Sequence, residues 1–415
     1  MESNKKRTIL HCDLNSYFAS VELLYRPELR SMPMAVCGSV EERHGIVLAK
    51  TEEAKRFGVK TGEAIWEAKQ KCPNLVIVPP SYGKYASFSR VVKQIYYQYT
   101  DLVESFGIDE AWLDVTQSES LFGDGLTIAN ELRERVKRET GGLSISVGVS
   151  FCKVFAKLGS DLKKPDAVTH IPYDRFRDII WPLSASEMLG VGPSTSKRLA
   201  SYGIHTIGQI ANYPIEFFEH NFGLNGISIW KNANGMDNSP VACYTDVIPA
   251  KSVGHGNTTY ADLTTNNEVK LMFIELSQDV SHRLRQYKLN ARRIQISVRD
   301  NAMNTREYQT ALPYPTQCWR EISDSAYKLF CANYDWNRPI RALSVRGISL
   351  ESEDTPYQTD IFCDTEKHER IDSLERAIES LRQRYGRSSL EVAALMQHKK
   401  IPIESTFEVQ NHFFH

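Results

Sequence analysis

The chain has 415 residues, 41% of them hydrophobic, which is enough to bury cores and more than one compact domain needs. Its 50 Lys/Arg stand against 51 Asp/Glu for a net charge of −1, so bulk charge does not mark it as a polyanion binder. A nucleic-acid surface would have to come from local segregation: residues 251–350 carry 14 basic and 9 acidic side chains, net +5, and residues 351–415 carry 8 and 13, net −5.

The first predicted strand is Thr8 to Cys12, ending at Asp13, and SYFASVELLY behind it has the spacing of a buried helix face. Residues 32–80 read as a small α/β insert: strands MAVCG and GIVLAK, then helices near Glu52 to Phe57 and Ala64 to Lys71. Tyr82 to Tyr99 is expected to be helical, LVESFGIDEAWLDV a strand or hairpin, LTIANELRERVKRE an amphipathic helix and LSISVGVS a strand. From Pro182 to about Asn238 the pattern is helical and punctuated by glycine. A tether containing Pro240 and Pro249 follows, then strands at Lys251 to Tyr260, Ala291 to Asp300, Arg306 to Leu312 and Ile340 to Leu350. Helices are expected at Glu268 to Leu289 and Thr316 to Asn333. In the tail, Ile371, Leu374, Ile378 and Leu381 share one predicted helical face, suited to packing on the preceding domain or on a partner.

Eight cysteines form no C-x-x-C pair and no zinc spacing with histidine, and are expected to be reduced thiols of a cytoplasmic protein. MESNKKRTILHC lacks the apolar run of a signal peptide, and no stretch is long enough for a membrane span, so neither export nor a membrane partner is expected.

Three carboxylates stand out. Asp13 and the pair Asp109-Glu110 interrupt the apolar strands TILHCD and SFGIDEAWLDV, where an unpaired charge is costly. Hard divalent ions such as Mg²⁺ are held by carboxylates converging from adjacent strands, and paired ions promote in-line displacement at phosphorus. Neighbouring strand residues face opposite ways, so Asp109 and Glu110 can serve one site only if a bulge or turn separates them.

DLNSYFASVE, SFGIDEAWLDVT and SVGVSFCKVFAKLGSDLKKPDAV, in that order and followed by LGVGPSTSKRL, resemble the Y-family DNA polymerases from about Ile9 to Leu350. The resemblance implies an α+β multidomain right-hand polymerase. Its palm is expected at 1–16 and 82–172, small fingers at 17–81, a helix-hairpin-helix thumb at 173–238, a tether at 239–250, an α+β little finger at 251–350 and a tail at 351–415. It also implies low-fidelity translesion synthesis on primer-template DNA with dNTPs, by a monomer holding two Mg²⁺.

On this resemblance Asp13, Asp109 and Glu110 are the metal-binding catalytic acids, with the Leu14 carbonyl a further metal ligand. Phe18 is the steric gate, an aromatic ring that leaves no room for a 2′-hydroxyl. Lys164 meets the triphosphate, while Lys153 and Lys157 read as a solvated helix face or primer-side phosphate contacts. Where the family has Tyr and Arg in the fingers, this chain has Glu52 and Lys55; Lys55 can still meet a phosphate, whereas Glu52 is left out of the site. Gly190, Gly192 and Lys197 of the thumb motif, and Arg292 and Arg293 among the basic residues of the fourth domain, are the expected DNA contacts. Tyr357 to Phe362 (YQTDIF) looks like a bacterial sliding-clamp peptide, with Gln358 as anchor and Ile361 and Phe362 as the apolar pair. Asn15 and TEEAK lean toward the UmuC branch, while the general layout favours a DinB-like (polymerase IV) enzyme with an extended tail. A non-catalytic repair scaffold and a nucleotide cyclase are the alternatives from other classes.

Overall fold

The computed structural model describes residues 7–39, 43, 45–246, 249–356, 365–396 and 400–402. The chain divides into two units, one of residues 1–37, 47–247 and 412–415, the other of residues 38–46 and 248–411. The candidate clamp residues Gln358, Ile361 and Phe362 lie outside the described residues.

The first unit is built on β1 (Ile9–Leu14), which is followed by α1 (Tyr17–Tyr25). The small insert holds β2 (Met34–Cys37), β3 (Val47–Lys50), α2 (Glu52–Arg56), α3 (Ile65–Lys71) and β4 (Val76–Val78), in a sheet of order β3-β2-β4. Then come α4 (Tyr82–Tyr96), β5 (Val103–Phe106), β6 (Glu110–Asp114), α5 (Glu119–Phe122), α6 (Gly125–Glu139), β7 (Ile145–Ser150), α7 (Lys153–Leu162) and β8 (Val168–Ile171). The main sheet runs β5-β6-β1-β7-β8, which puts β1 at its centre with antiparallel neighbours on both sides.

That central place buries all six residues of β1. Alternation sends Leu10, Cys12 and Leu14 into the apolar core with residues of α4 and α6, among them Tyr85, Ile95, Ile128 and Leu132. His11 and Asp13 therefore face the other side, where α7 packs. Gly148 of β7 lies opposite His11, and a Cβ there would stand 1.9 Å from the Ala156 carbonyl oxygen of α7. Only glycine lets the helix come this close to the sheet.

The unit closes with short helices α8 (Phe176–Ile180), α9 (Pro193–Ser201) and α10 (Ile207–Asn212), then α11 (Ile215–Ala233), which is broken at Gly223. Their apolar faces share a core with α7 through Phe155, Leu158, Phe176, Leu199 and Phe218.

The second unit contains β9 (Ser252–Leu263), α12 (Asn266–Gln286), β10 (Leu289–Asp300), β11 (Thr305–Thr316), α13 (Trp319–Asn333) and β12 (Ile340–Ser352). Its sheet is antiparallel, in the order β11-β10-β12-β9, and shares a core with α12 and α13. The predicted elements were all found, with ends shifted by a few residues.

The tail helix α14 (Thr365–Tyr385) departs from expectation. Leu374 and Leu381, on the stripe expected to pack on the preceding domain or on a partner, are 51% and 44% exposed and so do not face that domain, whereas Glu375 and Arg382 are buried. Glu375 accepts hydrogen bonds from the Trp319 and Arg320 amides at 2.9 and 3.3 Å, capping α13 from outside, and Arg382 donates to Gln278 at 2.7 Å. The surface presented by α12 and α13 is itself polar, so the charged stripe of α14 docks there.

Candidate active site

Asp13 pairs with Glu110 in the antiparallel register of β1 and β6, which sets these two carboxylates side by side on the α7 face. Asp109 sits in the tight turn Gly107-Ile108-Asp109 that joins β5 to β6, with Phe106 paired to Glu110 across it. Gly107 has φ +83°, a conformation suited to glycine, and the Leu14 amide donates to the Asp109 carbonyl at 3.1 Å. The turn expected from strand alternation is thus present, and it frees Asp109 from the one-up, one-down rule.

The electrostatics are those of crowded acids. Burial, then the charges of Asp13 and Glu110, push the Asp109 carboxyl up to about 6. Burial also raises Asp13, against the pull of Lys164. Burial acts on Glu110 in the same sense, yet His11 and Lys157 overcome it and hold that carboxyl down to about 2.

Two lysines answer this charge. Lys164 Nζ is 2.7 Å from Asp13 Oδ2 and 2.8 Å from Asp161 Oδ1, while Lys157 Nζ is 2.7 Å from Glu110 Oε2 and 3.5 Å from Asp13 Oδ2. The expectation of a solvated Lys157 is corrected: its side chain is only 15% exposed. Lys153 is likewise engaged, 2.6 Å from Glu104 and over the Trp112 ring. Both face the sheet because Gly148 draws α7 down onto it. An acid cluster that already recruits two ammonium groups, and still leaves two of its carboxyls raised, has the donor chemistry and the charge excess that hard divalent cations neutralise.

His11 was missed in the sequence. Its ring is fully buried, with Nε2 3.3 Å from Glu110 Oε2 and Nδ1 2.8 Å from the Ser160 hydroxyl, and burial lowers its pKa so that the ring is neutral. The signal was available, since a residue two before Asp13 on a strand shares its face.

Phe18 lies on α1 with its ring stacked on Tyr85 at 4.1 Å and 11° and edge-on to Tyr82 at 6.0 Å. Tyr17 is the buried core aromatic of that helix, donating its hydroxyl to the Tyr85 carbonyl. Tyr85 in turn donates to the buried Glu22 at 2.8 Å, so the surface against which Phe18 rests is fixed by hydrogen bonds at both ends.

Glu52 and Lys55 form an exposed pair at 3.5 Å on α2. Gly190 has φ +91° and Gly192 is the N-cap residue of α9, both exposed, with Lys197 exposed further along the helix. Arg293 is exposed on β10, and Arg292 pairs with Glu351 at 2.5 Å. Among the described residues no helix is long and apolar enough to cross a membrane.

Residues 12–161 match the impB/mucB/samB family, and residues 250–361 match the C-terminal domain of that family. The chain is 49% identical over 392 residues to a DNA polymerase IV of Acetivibrio thermocellus, covering 94% of this chain and 98% of the relative. It is 34% identical over 403 residues to DNA polymerase IV 1 of Bacillus subtilis, covering 97% and 96%. In fold it is similar to a solved Y-family polymerase chimera of Dbh and Dpo4, with a TM-score of 0.75 at 22% identity, over 83% of this chain and 99% of the chimera.

Proposed function

This chain belongs to the Y family of DNA polymerases, as a translesion DNA-directed DNA polymerase of the polymerase IV type, and from that premise we propose how its residues carry the reaction. Asp13, Asp109 and Glu110 hold two Mg²⁺ ions, with the Leu14 carbonyl as a further ligand. The observation that carries this reading is the meeting of the three acids through the β1–β6 register and the Gly107 turn. When bound, the ions activate the primer 3′-hydroxyl and stabilise the charge that develops on the leaving pyrophosphate.

The chain's own residues supply position. His11, neutral and held by Ser160, keeps Glu110 in place without adding charge, and Lys157 balances Glu110 from the helix side. Lys164 leaves Asp13 for the triphosphate as nucleotide enters, joined by Lys55 from the fingers. Phe18, backed by Tyr85, closes the space beside the sugar C2′ and selects deoxynucleotides.

In this reading residues 1–16 and 82–172 form the palm, 17–81 the fingers, 173–238 the thumb, 239–250 the tether, 251–350 the little finger and 351–415 the tail. Gly190, Gly192 and Lys197 meet DNA phosphates near the α9 N-terminus, and Arg292 and Arg293 follow the duplex backbone. Gln358, Ile361 and Phe362 dock a sliding clamp, and the enzyme works as a cytoplasmic monomer. Primer extension tests the core of the proposal: the wild type should extend a primer with dNTPs and Mg²⁺, and Asp109→Ala should lose that activity by at least about 10³-fold. Retention of wild-type extension by Asp109→Ala would remove Asp109 from the site.

A further inference from the structure

We infer that Cys318, Glu321 and His368 form a binding site for a borderline divalent cation such as Zn²⁺, separate from the polymerase site, that clamps the tail helix to the four-stranded domain. The Cys318 sulfur, a Glu321 oxygen and a His368 ring nitrogen all lie within 4.8 Å of one another. Cys318 and Glu321 belong to the start of α13, and His368 to the first turns of α14. Thiolate, imidazole and carboxylate are the donor set that suits zinc, at a spread that needs only small movements to close around one ion.

A fourth donor and an outer ring of hydrogen bonds are in place. Asp372 Oδ1 is 3.5 Å from the Cys318 sulfur. Glu321 is aimed by two hydroxyls, Tyr314 donating to one oxygen at 2.7 Å and Thr316 to the other at 2.5 Å, the kind of support that orients metal-ligating carboxylates. Cys318 is the N-cap residue of the 15-residue helix α13, and the Arg285 guanidinium is 4.0 Å from its sulfur.

An independent observation also points to a ligand. A cavity of about 210 Å³ opens beside the cluster, lined by Thr316, Gln317, His368 and Asp372 among others. Gln317 is 4% exposed, and its Oε1 has no hydrogen-bond partner. A plain His368–Glu321 ion pair accounts for the 2.8 Å contact between them, and Arg285 and Arg376 account for Asp372, but neither accounts for the thiol beside them or for the unpartnered carbonyl oxygen.

Binding is proton-balanced. Cys318 gives up its thiol proton and His368 the Nδ1 proton now shared with Glu321, both passing to solvent as the cation takes their place. In the absence of a cation, burial together with Glu375 and Glu321 pushes the Cys318 thiol far up, so the cluster carries a neutral sulfur until an ion arrives. His368 lies six residues beyond Phe362, so an ion here fixes the chain just past the candidate clamp peptide.

Titration of the full-length, chelator-treated protein with Co²⁺ tests this. One Co²⁺ per chain should give a thiolate-to-metal absorption band, displaced by Zn²⁺, and Zn²⁺ should slow hydrogen exchange in α14. Cys318→Ser and His368→Gln should each abolish the band and weaken binding by at least tenfold, whereas Cys243→Ser keeps it. Primer extension without clamp should be unchanged in Cys318→Ser and His368→Gln, which shows that both fold. The absence of a thiolate band in the wild type, its persistence in Cys318→Ser, or equal slowing of α14 exchange in Cys318→Ser would overturn the site. The polymerase carboxylates also take divalent ions, but they offer no sulfur and give no such band.

Discussion

Lys164 Nζ stands 2.7 Å from Asp13 Oδ2, so the lysine expected on the incoming triphosphate rests on one of the acids expected to hold metal. The two placements are alternatives for a single ammonium. Burial works to lower the Lys164 pKa, but Asp13 and Asp161 outweigh it and keep the ammonium protonated; ions held at Asp13 would satisfy that acid's charge and free Lys164 for the phosphates. Lys164→Ala should therefore lower kcat/KM for dNTP by about tenfold to a hundredfold, about 1.4–2.7 kcal/mol, mostly through KM. Steady-state kinetics with each dNTP would read this, and an unchanged KM would count against the phosphate role.

Phe18 is locked by its stack on Tyr85 and its edge contact with Tyr82, so it cannot swing away from an added hydroxyl. Phe18→Ala should raise the ratio of ribonucleotide to deoxynucleotide incorporation by about tenfold to a hundredfold while primer extension with dNTPs persists. Tyr85→Ala should give a smaller change in the same direction by loosening the ring. Single-nucleotide incorporation with matched dNTP and rNTP measures both, and a Phe18→Ala enzyme as selective as the wild type would assign the gate elsewhere.

How much of this was legible in the sequence depended on whether a residue's partner was local. Asp13 could be read as a strand end, and the need for a turn at Asp109 followed from strand alternation alone. Lys157 was read as part of a solvated face or as a primer-side phosphate contact because a helix wheel shows which residues share a face but not what that face meets. The close approach at Gly148 decides it, and that depends on contact between β7 and α7. Which face of the tail helix meets the preceding domain was hidden for a related reason. Ile371, Leu374, Ile378 and Leu381 make one stripe, but His368, Asp372, Glu375, Glu379 and Arg382 make another with similar spacing. The choice between the stripes belonged to the polar surface of α12 and α13, where His282 meets Glu379 and Arg285 meets Asp372.

The second unit contains an acid-sensitive clasp. Burial works against the Glu268 carboxylate, but Lys400 and the amides of Thr264 and Thr265 hold its pKa down to about 2. A depressed carboxyl contributes stability that is complete above its unfolded pKa, about 4.3, and is lost as pH falls toward the folded value. Glu268→Gln should therefore be less stable than the wild type at about pH 7, with the gap narrowing from about pH 4.5 downward. Denaturant unfolding of both proteins across that range checks the sign, and a gap that widens on acidification would contradict it.

Gly148 couples the stability of the sheet to the electrostatics of the site. An added methyl at this position would stand 1.9 Å from the Ala156 carbonyl oxygen and 2.5 Å from the Ser160 amide, both backbone atoms of α7. No side-chain rotamer relieves that clash, so the helix has to lift from the sheet. Gly148→Ala should cost about 3 kcal/mol or more, a fall in Tm of roughly 6–12 °C for a unit of this size. The same displacement carries Lys157 away from Glu110 and Ser160 away from His11, since both ride on α7. Extension by Gly148→Ala should therefore drop well below wild type even at temperatures where circular dichroism shows it folded, with a weaker apparent affinity for Mg²⁺. Loss of stability with full activity in the folded state would mean that the site tolerates movement of α7. A Tm equal to wild type would mean that the backbone contact itself is wrong.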